Sequence, residues 1–200
     1  MFDRFIQVVP TFSPEEVKTI LDECEDDPGW ERAEVYDRNG KDTITDQVRT
    51  NNRLVWHADK KCYSMVIERL NEAFKMYTRY VLASIPKEDL RMPMPMAYGS
   101  QSTIEGLVLL RYTKDQHYDW HTDASYREGT PSSDRTISVV TYLNNDFEGG
   151  MTEFIDGARK PKPGCTLFFP SNWVFRHRAQ PVTKGTKYAL VTWYRVFDAT

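Results

Sequence analysis

The stretch HYDWHTD, residues 117–123, carries the pattern His-x-Asp twice, as His117-Tyr118-Asp119 and as His121-Thr122-Asp123. On an extended strand, side chains two apart share a face, so a strand here presents His117, Asp119, His121 and Asp123 together. A histidine and a carboxylate on one face can hold a metal ion. Four polar groups there exceed the alternation of an ordinary half-solvated strand. Spacing alone favours neither copy.

A single His-x-Asp is weak evidence. It gains meaning from a second histidine elsewhere, and FRHRAQPVTKGTKYALVTW (175–193) supplies His177 and, ten positions on, Lys187. Two histidines and one carboxylate on one face of a metal leave open positions opposite, which suits a non-haem Fe(II) that takes a chelating co-substrate and dioxygen. The remaining histidine, His57, reads as an ordinary satisfied polar residue.

Around this stretch the chain has a strand texture. IEGLVLLRY (104–112), RTISVVTYL (135–143), MTEFI (151–155), GCTLFF (164–169) and TKYALVTWYRV (186–196) are β-branched or aromatic runs. The turn-rich segments EGTPSSD, NNDFEGG, DGARKPKPG and VTKG separate them. Upstream the pattern is helical. In TFSPEEVKTILDEC (11–24), Ser13 is a candidate N-cap, Pro14 opens the helix and Glu16 completes a capping box. A second helix is expected from near Asp59, with Tyr63, Val66, Ile67, Leu70, Phe74, Tyr77 and Val81 as its apolar stripe, until Pro86 closes it. MPMPM (92–96) reads as a linker or lip. The expectation is one α+β domain spanning 1–200, with helical support over roughly 1–100 and a double sheet or barrel over roughly 101–200.

The 200 residues, 40% of them hydrophobic, suffice for one well-cored domain. A net charge of −3 with interspersed signs counts against a duplex-DNA binder, so nucleic acid is not the expected partner. Three widely spaced cysteines form neither a disulfide framework nor a zinc ribbon. Neither a signal-peptide pattern nor an apolar run of membrane-spanning length is visible, which predicts a cytoplasmic protein without a membrane partner.

The run Y-x-x-x-Q-x-Y-x-x-H-x-D (Tyr112, Gln116, Tyr118, His121, Asp123) resembles the core of the 2-oxoglutarate- and Fe(II)-dependent dioxygenases of the prolyl 4-hydroxylase type. So does RTISVVTYLNNDFEGGMTEF (135–154), and then PKPGCTLFF, His177-x-x-x-Pro181-Val182-x-x-Gly185-x-Lys187 and Trp193 in the family's order. The resemblance covers roughly 104–196. It implies a double-stranded β-helix, or jelly roll, buttressed by the N-terminal helices.

The family register implies His121, Asp123 and His177 as metal ligands and catalytic centre, with His117 and Asp119 at the rim. It places Lys187 at the far carboxylate of 2-oxoglutarate, Tyr112 sharing that carboxylate and Thr152 nearby. Tyr118, Arg135 and Trp193 fall at positions lining the substrate groove. Related halogenases lack the carboxylate that Asp123 supplies, so the resemblance implies hydroxylation. The implied cofactor is Fe(II), with 2-oxoglutarate and O2 as co-substrates, succinate and CO2 as products, and ascorbate as an accessory reductant. A prolyl residue in a peptide or protein is the expected substrate. Hydroxylation of a free amino acid, small metabolite or nucleobase, or a non-enzymatic jelly-roll module that binds a metal or ligand, are the alternatives. Two positions depart from the family pattern: Asp115 stands where many members have glycine, and Arg195 where collagen-type enzymes have histidine.

Overall fold

Helix α1 (Pro14–Cys24) begins with the expected capping box: the Glu16 amide donates to Ser13 Oγ at 3.2 Å and the Ser13 amide to Glu16 Oε2 at 2.9 Å. Its buried stripe is Val17, Ile20 and Cys24. Helix α2 (Tyr63–Ala83) starts later than the expected Asp59. The reason is tertiary. Glu23 of α1 accepts from the Lys61 and Cys62 amides at 2.6 and 3.1 Å, so a carboxylate from another helix caps α2 and sets where it begins.

The computed structural model describes residues 4–36, 42–84, 100–124 and 134–198. MPMPM and most of EGTPSSD lie outside these residues. The strands are β1 (Gln7–Pro10), β2 (Glu31–Arg32), β3 (Val35–Tyr36), β4 (Asp42–Thr43), β5 (Asn52–Trp56), β6 (Ser100–Ile104), β7 (Leu107–Tyr112) and β8 (Tyr118–His121). They continue with β9 (Ile137–Tyr142), β10 (Glu148–Gly149), β11 (Thr152–Phe154), β12 (Gly157–Arg159), β13 (Cys165–Pro170), β14 (His177–Ala179), β15 (Val182–Lys184) and β16 (Lys187–Asp198).

An eight-stranded antiparallel sheet runs β1-β13-β9-β16-β7-β5-β2, with β6 also on β16; a four-stranded sheet runs β12-β11-β14-β8. Among the described residues the two sheets do not close into a barrel. Alternation along the large sheet decides what each face does. Leu107, Leu109, Ile137, Val139, Phe168, Leu190 and Tyr194 share one core with α1 and α2. The intervening Leu110, Tyr112, Tyr142, Leu167, Phe169 and Val191 face the other way, among residues of the small sheet such as Tyr118, Phe154 and Ala179. The first hundred residues therefore supply more than helices. β1, β2 and β5 extend the large sheet, and in β5 the buried Leu54 and Trp56 alternate with exposed Val55.

Gly164 ties the start of α1 to the large sheet. Its carbonyl accepts from the Thr11 and Phe12 amides, both at 2.9 Å, and its own amide donates to Tyr142 at 2.9 Å. Its φ is +78°, and a Cβ there would lie 2.3 Å from the Phe12 carbonyl oxygen. Gly164→Ala is therefore expected to cost about 2 kcal/mol or more, seen as a lowered urea midpoint with an unchanged slope.

Candidate functional site

The ladder between β14 and β8 pairs His177 with His121 and Ala179 with Tyr118, so two steps on β14 span three on β8. This bulge breaks the simple alternation expected for 117–123. Tyr118 and His121 fall on the same side, their rings stacked at 3.6 Å. The other copy of His-x-Asp turns away: His117 Nδ1 lies 3.3 Å from Thr50 Oγ1, and exposed Asp119 accepts from the Trp120 amide at 2.7 Å. Only His121, Asp123 and His177 converge, with ligand atoms all within 4.8 Å of one another.

Backbone carbonyls orient both imidazoles. His121 Nδ1 lies 2.7 Å from the Asp119 carbonyl oxygen and His177 Nδ1 lies 3.1 Å from that of Phe175. A carbonyl only accepts, so each Nδ1 carries a proton and Nε2 is the atom turned toward Asp123. Those Nε2 atoms stand 3.6 and 3.7 Å from the Asp123 carboxylate oxygens. Burial and the neighbouring His177 push the His121 pKa down to about 3, so the ring is neutral at physiological pH. Burial opposes ionisation of Asp123. The two histidine rings, the Ser138 hydroxyl and the Trp193 indole N–H outweigh it and keep the carboxylate charged.

Deeper between the sheets, register places Lys187 of β16 opposite Tyr112 of β7. Lys187 is 2% exposed, with Nζ donating to the Gly150 carbonyl at 2.7 Å and to Tyr142 Oη at 3.3 Å. No carboxylate among the described residues pairs with it. Burial, reinforced by Lys160, lowers its pKa to about 7. Thr152 joins the same network, its Oγ1 2.9 Å from Tyr142 Oη. Tyr112 links the two parts of the site: its ring is 5.1 Å from Lys187 Nζ, and its hydroxyl feels the charge of Asp123. A site with a buried cation lacking a counter-anion beside a two-histidine, one-carboxylate cluster fits a divalent metal together with an anionic co-substrate.

Of the residues expected at the substrate groove, Tyr118 is sandwiched between His121 and the Arg49 guanidinium, 4.4 Å from its ring centroid. Arg135 lies over Trp193 at 3.5 Å and forks onto Glu105 at 2.9 and 2.8 Å. Arg49, Glu105, Ser138 and Tyr142 belong to the site but escaped the sequence reading. Arg49 arrives because Val48 and Thr50 bond to 117–119 in the edge of β8, a pairing with no local sequence signal. The departures from the family pattern also resolve. Asp115 adopts φ 67°, a left-handed conformation that aspartate tolerates where glycine is usual, and Arg195 pairs with Glu105 at 3.1 Å.

Residues 107–195 match the family model described as 2OG-Fe(II) oxygenase superfamily. A PKHD-type hydroxylase of Alteromonas mediterranea is 34% identical over 92 residues, covering 42% of this chain and 40% of that protein. A PKHD-type hydroxylase of Sphingopyxis alaskensis is 30% identical over 104 residues, covering 48% and 47%. The chain thus spans less than half the length of these curated relatives. Among solved structures, the 2OG complex of a viral collagen prolyl hydroxylase from Paramecium bursaria Chlorella virus-1 superposes with a TM-score of 0.67 at 17% identity, covering 96% of both chains. A Trichoplax adhaerens prolyl hydroxylase, in complex with a hypoxia inducible factor peptide fragment, gives 0.66 at 15% identity, covering 96% of this chain and 84% of that one. These neighbours share the jelly-roll fold. Over residues 107–195 the chain is thus similar to the 2OG-Fe(II) oxygenase superfamily, and its fold is similar to that of the prolyl hydroxylases.

The depressed Lys187 has a stability signature. With a folded pKa near 7 against an ordinary 10.5, the unfolded chain binds more protons between those values, so Lys187 makes stability rise with pH across that window. Urea midpoints measured from pH 7 to 10 should show this rise in the wild type, and Lys187→Met should flatten it.

Proposed function

We propose that the protein is an Fe(II)- and 2-oxoglutarate-dependent dioxygenase that hydroxylates a substrate C–H bond and releases succinate and CO2. One observation carries the reading: alongside the triad, the chain buries Lys187 with no carboxylate partner among the described residues. A module that merely binds a metal needs the triad and has no use for a desolvated lysine.

His121 and His177, through Nε2, and Asp123, through a carboxylate oxygen, would hold the Fe(II). Fe(II), with 2-oxoglutarate and O2, would supply the oxidising chemistry that turns C–H into C–OH. Lys187 holds the far carboxylate of 2-oxoglutarate, and that negative charge keeps the ammonium protonated despite burial. Tyr112, across the ladder from Lys187, directs its hydroxyl to the same carboxylate. Thr152 and Tyr142 hold Lys187 in place through their shared hydrogen bonds. The aromatic and aliphatic walls from Phe147, Val182 and Val191 keep water from that end.

The substrate assigned is a prolyl residue of a peptide or protein, bound at the metal's outer side beside Tyr118, Arg135 and Trp193. Support comes from the prolyl hydroxylase neighbours and from Arg49. Its guanidinium donates to Asn51 Oδ1 at 2.8 Å and the Glu34 carbonyl at 3.2 Å, with no carboxylate partner among the described residues. That leaves donors for the carbonyls of an extended chain. Ascorbate serves as reductant in this scheme. No helix among the described residues is long and apolar enough to cross a membrane, and a cytoplasmic location remains part of the proposal.

Succinate release from 2-oxoglutarate with Fe(II) and ascorbate should be measurable, rising with proline-containing peptides over free amino acids. His121→Ala, Asp123→Ala and His177→Ala should each abolish it. His117→Ala and Asp119→Ala should retain turnover, since neither side chain reaches the metal. Turnover lost in His117→Ala but kept in His121→Ala would refute the assigned register.

A further inference from the structure

His121 and His177 stand on paired strands, but Asp123 does not. It follows β8 in an irregular segment, where the next residue's amide, that of Ala124, donates to the Ser171 carbonyl at 3.0 Å. A carboxylate on a loop needs its direction set from outside. Three elements meet around it. Trp193 and Ser138 stand opposite each other in the β16–β9 ladder, and both side chains favour the charged form of the Asp123 carboxylate. Arg135 covers the Trp193 ring at 3.5 Å and directs Nη1 to the Asp123 main-chain carbonyl at 3.5 Å.

Arg135 is itself immobilised. Nε and Nη2 fork onto the two oxygens of Glu105, a charge-assisted bidentate pair at 16% side-chain exposure on both partners. Glu105 is fixed in turn: its amide donates to the Trp193 carbonyl at 2.9 Å and its carbonyl accepts from Thr192 Oγ1 at 3.0 Å. Arg195 also reaches its carboxylate, at 3.1 Å. The guanidinium's planar fork is engaged by Glu105 and one of its faces by Trp193, an arrangement that lysine could not reproduce.

We infer that Glu105, Arg135 and Trp193 form a clamp that orients Asp123 as a metal ligand, so that Arg135 and Trp193 are positioning residues for the metal centre. This rests on the proposed metal site and goes beyond it, because it assigns two groove residues an effect on the metal that exists before any substrate binds. Outer partners of ligating carboxylates typically change metal affinity by about 10–100-fold.

The test uses the full chain, without substrate, titrated with Mn(II) by calorimetry, and with Co(II) by visible absorption as a report on ligand geometry. Trp193→Phe keeps a ring beneath Arg135 and removes the N–H. It should weaken Mn(II) binding by about 10–100-fold and alter the Co(II) spectrum, with an unchanged urea midpoint. Arg135→Lys keeps the charge and breaks the fork, and should shift affinity in the same direction. Asp123→Ala, measured alongside, should lose more than either. Wild-type Mn(II) affinity in both Trp193→Phe and Arg135→Lys would overturn the clamp while leaving the metal site standing. Failure of the wild type itself to bind Mn(II) would overturn both.

Discussion

The pairing of β14 with β8 brings His177 opposite His121, and the rest of the site is arranged around that one rung. The extra residue on β8 is what makes the rung productive. It turns Tyr118 and His121 to the same side, sends Asp119 to solvent, and lets the chain leave the strand so that Asp123 comes back toward both histidines. A regular strand would have put four polar side chains in one row. The bulge selects two of them and discards the other two.

The large sheet does the complementary work through its period of two. Residues on one face of β7, β9 and β16 bury against the helices, and the alternate residues carry Tyr112, Tyr142, Lys187 and Trp193 toward the small sheet. The same alternation that builds the core therefore aims the polar side chains into the space between sheets. Burying an ammonium there is unfavourable unless an anion joins it, so the fold holds Lys187 in a condition that a carboxylate ligand relieves. The same burial keeps the His121 ring neutral, and backbone carbonyls hold Nδ1 of both histidines.

Charged groups at the outer side are organised differently. Arg135 and Arg195 share Glu105, whereas Arg49 meets only neutral oxygens and a ring among the described residues. The first two are tied to a carboxylate, and among the described residues Arg49 is not. That contrast cannot be seen in the composition, where all three are simply arginines.

The strand-rich half of the molecule was legible in the sequence because its signals are local. β-Branched runs between turn residues mark β7, β9, β13 and β16, and Ser13 with Glu16 marks the start of α1. Ordered motifs single out His121, Asp123, His177 and Lys187. Tertiary structure decided the rest. Short strands such as β8 and β14 carry too few residues for a period to show, and the bulge between them depends on the partner strand. The start of α2 depends on Glu23, about forty residues away, and Arg49 reaches the site through an edge pairing across 67 positions. Local sequence determines which segments can be helix or strand and which side chains can ligate a metal. Only the packed sheets decide which of those side chains meet, because distance in space between remote segments is set by pairing register and burial rather than by spacing along the chain.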